Sequence, residues 1–164
     1  MHLEIDIEDW PAGDWEVLAT RAADATARIA PELANPRLVA SMLFTTDDVV
    51  RTLNHDWRQK DKPTNVLSFP MLERGDLVHL DPDEDQPEML GDIALAGETC
   101  AREAAEKSVT LEHHAAHLIV HGLLHLAGFD HETGEADAQE MEEMEVKALA
   151  LMGIANPYTG DQTA

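Results

Sequence analysis

The stretch "HGLLHLAGFDH", from His121 to His131, holds the residues with the most specific chemistry in the chain. His121 and His125 lie four apart in a segment of helical spacing, so both imidazoles leave the same face of a helix. Two such side chains can reach one ion at Zn–N distances of about 2.0–2.1 Å. Gly128 follows three residues later and tolerates the left-handed backbone that ends a helix. The turn there can bring His131 back towards the same ion. Three neutral nitrogens with an open fourth position describe a catalytic zinc site, not a closed structural one. The nitrogen-rich donor set favours one Zn2+ per chain, without excluding other divalent metals.

The spacing matches the HExxHxxGxxH pattern of the metzincin peptidases. The residue after the first histidine, however, is Gly122, which cannot take a proton from water. Peptide hydrolysis by that route is disfavoured. The metal then has to act as a Lewis acid or hydroxide source, and phosphoester cleavage is one chemistry this allows. His117, one turn before His121, is a candidate to orient a ligand, the plainer reading being a satisfied or exposed histidine. Asp130, beside His131, either orients a ligand or caps the turn. His113 and His114 read as surface residues, and Asp92 and Glu98 are the titratable candidates for a general base.

The elements that must position these groups follow from periodicity. "HLEIDI" (2–7), "RLVASMLF" (37–44), "VLSFPML" (66–72) and "LGDIALA" (90–96) read as strands, with Pro70 placing the third at an edge or a strand end. Helical spacing runs through residues 13–33, with Asp14 as N-cap candidate and Pro31 interrupting near the end. It returns over 45–57, 97–106, 111–128 and 135–153. In the last of these, Met141, Met144, Ala148, Leu149 and Met152 form a stripe that reads as core packing. Residues 73–89 are rich in Asp, Glu and Pro and read as a solvated, mobile acidic loop. The expected fold is α+β: one domain over 1–164, a small mixed sheet of about four strands flanked by helices, and a metalloprotease-like metal-binding helix.

Bulk composition sets limits. A chain of 164 residues, 44% of them hydrophobic, can bury one real core. No apolar run is long enough to predict a membrane span. The acidic start "MHLEIDIEDW" does not resemble a signal peptide, and a single cysteine, Cys100, excludes an intramolecular disulfide framework, so a cytoplasmic location is expected. With 33 acidic residues against 11 basic ones, the formal charge is −22, which on its own argues against nucleic acid. Yet Arg51, Arg58, Lys60 and Lys62 gather within twelve positions, enough for a local basic patch.

At this point the motifs converge. "HGLLHLAGFDH" resembles the signature of the bacterial YbeY family, "LNHDWRQKDKPTNVLSFP" (53–70) is similar to that family's second signature, and "LGDIAL" (90–95) to its third. The helical end through "NPY" (156–158) also follows the family pattern, so that the resemblance covers nearly the whole chain. It implies a metal in a cleft beside a small mixed sheet, with ligands at His121, His125 and His131 and a functional arginine at Arg58. It further implies a zinc-dependent, single-strand-specific endoribonuclease of ribosomal RNA maturation, acting at the 3′ end of the small-subunit RNA and in ribosome quality control. RNA, the ribosome and small-subunit ribosomal proteins are the partners implied; no membrane or DNA is. Asn65 departs from the Asp that members often carry. Chemically, the planar donor fork of Arg58 suits a scissile phosphate. Lys60 and Lys62 can steer neighbouring phosphates, and Thr64 and Ser68 can bond substrate or cap local backbone. A positive groove near the metal is expected on an otherwise negative surface. The competing readings are a non-catalytic ribosome assembly factor with a structural metal, and a metallopeptidase, the latter opposed by Gly122.

Overall fold

The alternation expected of the strands is realised in a four-stranded mixed sheet. A computed structural model describes residues 1–58, 64–130 and 134–158, leaving out the side chains of residues 57 and 58. Strands β1 (His2–Ile7), β2 (Leu38–Thr45) and β4 (Glu88–Ala96) run parallel, and β3 (Val66–Pro70) pairs antiparallel with β4, in the order β1-β2-β4-β3. The helices are α1 (Trp15–Ile29), α2 (Asp47–Arg58), α3 (Arg74–Val78), α4 (Gly97–Glu106), α5 (Leu111–Leu126) and α6 (Glu135–Leu151). Pro70 ends β3 on the sheet's edge, where its missing N–H costs no ladder bond. Among the described residues, no helix is long and apolar enough to cross a membrane.

Side-chain alternation divides the sheet into two faces. Leu38, Ala40, Met42 and Phe44 of β2, with Ile93 and Leu95 of β4, join the large core shared with α1, α5 and α6. Ala94 and Ala96 point the other way and form a small core with Val50 of α2 and Leu67 of β3. Helix α5 is apolar almost all round because it is packed between the sheet and three helices, α1, α4 and α6. Gly122 is what lets it lie so close: a Cβ there would sit 3.0 Å from the Cδ1 of Ile93. The glycine that replaces a peptidase's glutamate is therefore a packing contact with the sheet.

Helix ends were only partly legible. Asp14 does sit at the start of α1 but makes no side-chain capping bond. The turn is held instead by Trp15, whose Nε1 donates to the Pro11 carbonyl at 2.7 Å, and by the edge of Trp10 packed on the Trp15 ring. Pro31 does break the helix, opening a 3-10 turn at Pro31–Ala34. Thr46 caps α2, its hydroxyl accepting from Val49 N at 3.2 Å. Asp47 reaches across to α4, accepting from the amide (3.0 Å) and hydroxyl (2.8 Å) of Thr99, while Glu98 accepts from the Asp47 amide. The two helix starts thus satisfy each other's unpaired donors.

The acidic segment 73–89 departs from the expected mobile loop. It carries the short helix α3, whose Leu77 is buried in the main core. It is also anchored on Arg37, a buried guanidinium that donates to the carbonyls of Gln86 (2.8 Å) and Asp81 (2.9 Å) and pairs with Glu84 and Glu88. A long cation from β2's start binds backbone carbonyls of the loop, which no local pattern in the loop announces.

Candidate metal centre

Helix α5 begins with the Thr110 hydroxyl accepting from His113 N at 3.1 Å and ends at Gly128, whose φ of +100° is the left-handed turn expected there. Arg74 fastens that end: it donates to the Ala127 carbonyl at 2.8 Å, pairs with Glu32 at 2.8 Å and lies 4.3 Å over the Phe129 ring. Between these ends His121 and His125 sit on neighbouring turns with ring centroids 6.5 Å apart, both partly exposed. The chain then turns at Gly128 towards His131, which lies outside the described residues. Among the described residues no group of three His, Cys, Asp or Glu side chains is placed to hold one ion.

The neighbour of these histidines is a residue that sequence reasoning missed. Glu145 of α6 is 1% exposed. Its Oε2 accepts from His121 Nδ1 at 2.8 Å, and its Oε1 accepts from His117 Nε2 at 2.7 Å and from the Tyr158 hydroxyl. Burial alone would raise its pKa, but the hydrogen bonds from His117, His121 and Tyr158 outweigh it and hold the carboxyl at about 2. Burial and the charge of Glu145 push the Tyr158 phenol up, so it remains a donor. Glu145 interrupts the Met141–Met152 stripe between Met141 and Ala148, and a carboxylate in an apolar stripe was the available signal. The stripe itself packs as expected, with Met141, Ala148 and Leu149 buried.

His117 is thus a buried histidine joined to the site through Glu145. His114, expected on the surface, is instead buried: its Nε2 donates to Glu103 at 2.9 Å, and the same carboxylate oxygen accepts from Asn65 Nδ2 at 2.9 Å. Residues 114, 117 and 121 recur on one helical face, which is why the first is drawn inside. Asn65 therefore serves as a donor that ties the start of β3 to α4. Burial lowers the His114 pKa. Glu103 is also held down, its burial being outweighed by the bonds from His114 and Asn65. Both groups bind protons less readily in the native than in the unfolded chain. Their stabilisation is complete above the ordinary histidine value of 6.5, declines as pH falls through it, and declines again below the ordinary glutamate value of 4.5. Urea midpoints should follow this loss between about pH 8 and pH 3, and Glu103→Gln should flatten its lower part. Identical pH profiles for the two proteins would refute the assignment.

The carboxylates proposed as bases lie elsewhere. Asp92 alternates with Gly91 and Ile93, which face α5, so it points to the α2 face of the sheet; Glu98 is engaged at the start of α2. Ser68 is directly opposite Ile93 in the ladder and so shares the α5 face. Asp130 is partly buried just beyond the Gly128 turn.

A family model described as "Endoribonuclease YbeY" matches residues 6–153. The chain belongs to the YbeY family. A relative from Erythrobacter litoralis named "Endoribonuclease YbeY" is 62% identical, covering 99% of this chain and 100% of its own. One of the same name from Novosphingobium aromaticivorans is 61% identical over 95% of both chains. The solution structure of TM1509 from Thermotoga maritima superposes with a TM-score of 0.59 at 24% identity, covering 97% of this chain and 91% of the other, and supports the fold. Of the candidate site residues, the structure brings His121 and His125 together and sets Ser68 on the same side of the sheet. The backbone of Arg58 ends α2, while its side chain, Lys60, Lys62 and His131 lie outside the described residues. The expected positive groove rests on those same basic groups and lies outside with them.

Proposed function

We propose that this YbeY-family chain is a divalent-metal-dependent endoribonuclease that cuts single-stranded ribosomal RNA, with zinc as its ion. The observation that carries the metal is His121: its Nδ1–H is spent on a buried carboxylate, so its lone pair lies on Nε2, beside His125 and a turn leading to His131. These three imidazoles would hold the ion, and an ion bound there supplies Lewis acidity towards a phosphodiester oxygen or water. The name of the relatives supports RNA as substrate. Arg58 is assigned to hold the scissile phosphate through its two-pronged donor set, with Lys60 and Lys62 drawing in adjacent phosphates and Ser68 bonding the substrate from the edge strand. The 3′ end of the small-subunit RNA, in the cytoplasm and in company with ribosomal proteins, is the proposed setting, including ribosome quality control. Gly122 supplies no base and is buried against Ile93, which sets the site apart from a peptidase.

The test pairs metal-analysed wild type with His125→Ala on two substrates: a single-stranded RNA spanning the small-subunit 3′ end and an unstructured peptide. The wild type should cut RNA alone, and the variant should lose both metal and cutting. Peptide cleavage, or undiminished RNA cleavage by a metal-free variant, would overturn the proposal.

A further inference from the structure

Glu145 lies 24 residues after His121, on a different helix, yet it is the residue that decides how His121 presents itself. A neutral imidazole has one N–H and one lone pair, and either nitrogen can hold the proton. A carboxylate accepts only, so the nitrogen facing Glu145 must be the donor. Glu145 Oε2 stands 2.8 Å from Nδ1, which fixes the proton there and the lone pair on Nε2. The carboxylate is itself fixed. It is almost fully buried, and its other oxygen receives two donors, His117 Nε2 and the Tyr158 hydroxyl, from a neighbouring turn of α5 and from the segment after α6. His117 and Tyr158 thus stop the carboxylate from rotating away from His121.

We propose that Glu145 is the positioning residue of the metal centre, fixing the tautomer and ring orientation of His121, with His117 and Tyr158 holding Glu145 in turn. This inference rests on the metal reading above. Glutamine at 145 keeps the shape but replaces one acceptor oxygen by a donor, so three donors then compete for one oxygen. Supporting partners of this kind typically change metal affinity by about 10–100-fold. Tyr158→Phe removes one donor from the oxygen that does not touch His121, and should leave the His121 tautomer as it was.

The first measurement is made on metal-stripped protein. Long-range 1H–15N correlation spectra of the imidazoles should show His121 of the wild type and of Tyr158→Phe protonated on Nδ1. A proton on Nε2 in the wild type would overturn the proposal, whether or not any variant folds. The second is titration with Co2+, read by its visible absorption. Glu145→Gln, with its fold confirmed by circular dichroism, should bind Co2+ about 10–100-fold more weakly than wild type. Equal affinity in a folded Glu145→Gln would overturn the positioning role alone. A wild type that takes up no Co2+ would overturn the metal reading itself, and this role with it.

Discussion

Gly122→Glu, which writes the metzincin glutamate back into the helix, should unfold the domain without producing a peptidase. Glycine inside a helix gives up about 1 kcal/mol relative to alanine, so helix propensity alone favours replacement. Sterics oppose it, since the new Cβ lies 3.0 Å from Ile93 Cδ1 and 3.4 Å from both Cγ atoms of the same buried side chain. Gly122→Ala therefore sets a gain of about 1 kcal/mol against an overpacking cost of about 1–3 kcal/mol, a modest net loss. Glutamate adds a carboxylate with no partner between a helix and a sheet. Burying such a charge costs several kcal/mol beyond the packing strain, against a total stability of roughly 5–15 kcal/mol for a domain. Thermal melts of the three proteins, with a peptide assay on any that fold, give the answer. A folded Gly122→Glu that cleaves peptide would show that the position faces the metal and not the sheet.

Gly91→Ala should be the second severe change. Gly91 has a φ of +154°, and a Cβ there would lie 2.4 Å from the Phe69 carbonyl oxygen and 2.7 Å from Leu126 Cδ2. The first of these is backbone, which cannot step aside without opening the β3–β4 ladder. The position also follows the register shift between Val39 and Ala40, where β4 takes one extra residue against β2. Backbone strain and overpacking of this kind each cost about 1–3 kcal/mol, so a loss of about 3 kcal/mol or more is expected. For a domain of this size it corresponds to a fall of roughly 6–12 °C in Tm. Hydrogen exchange should show the amides of β3 exposed first, because this edge strand pairs with β4 alone. A Tm within about 2 °C of wild type would refute the account.

What could be read from residues alone was whatever depends on near neighbours along the chain. Alternation set out the four strands, helical spacing the five long helices, Pro70 the edge position of β3 and Gly128 the turn after α5. The histidine pair four apart needed only helix geometry. The features that escaped depend on partners distant in sequence. Helix α3 is too short for periodicity to detect, and its loop is anchored by Arg37 from another element. Asp14 looked like a cap but makes no capping bond, and the turn before α1 is held by the Trp15 indole donating to the Pro11 carbonyl. His114 and Glu145 lie on faces that their own helices bury, and each could have been suspected by extending the helical count one turn further. The face of Asp92 was also within reach, because Ile93 and Leu95 had to claim the other side.

The sheet order has a consequence for a chain being made from its N-terminus. Strand β4 lies between β2 and β3, although it follows both in sequence. Until residue 96 has emerged, β3 has no strand to pair with and the β1–β2 pair has one open edge. The histidines of α5 come later still, and Glu145, whose carboxylate accepts from His121, later again. Non-local pairing of this kind makes folding slow relative to local helix formation. A growing chain therefore has no assembled site while most of it is being translated, and a product truncated ahead of α6 would carry His121 and His125 without Glu145. The bonds that Glu145 accepts from His117 and His121 thereby form only after α6 has been made.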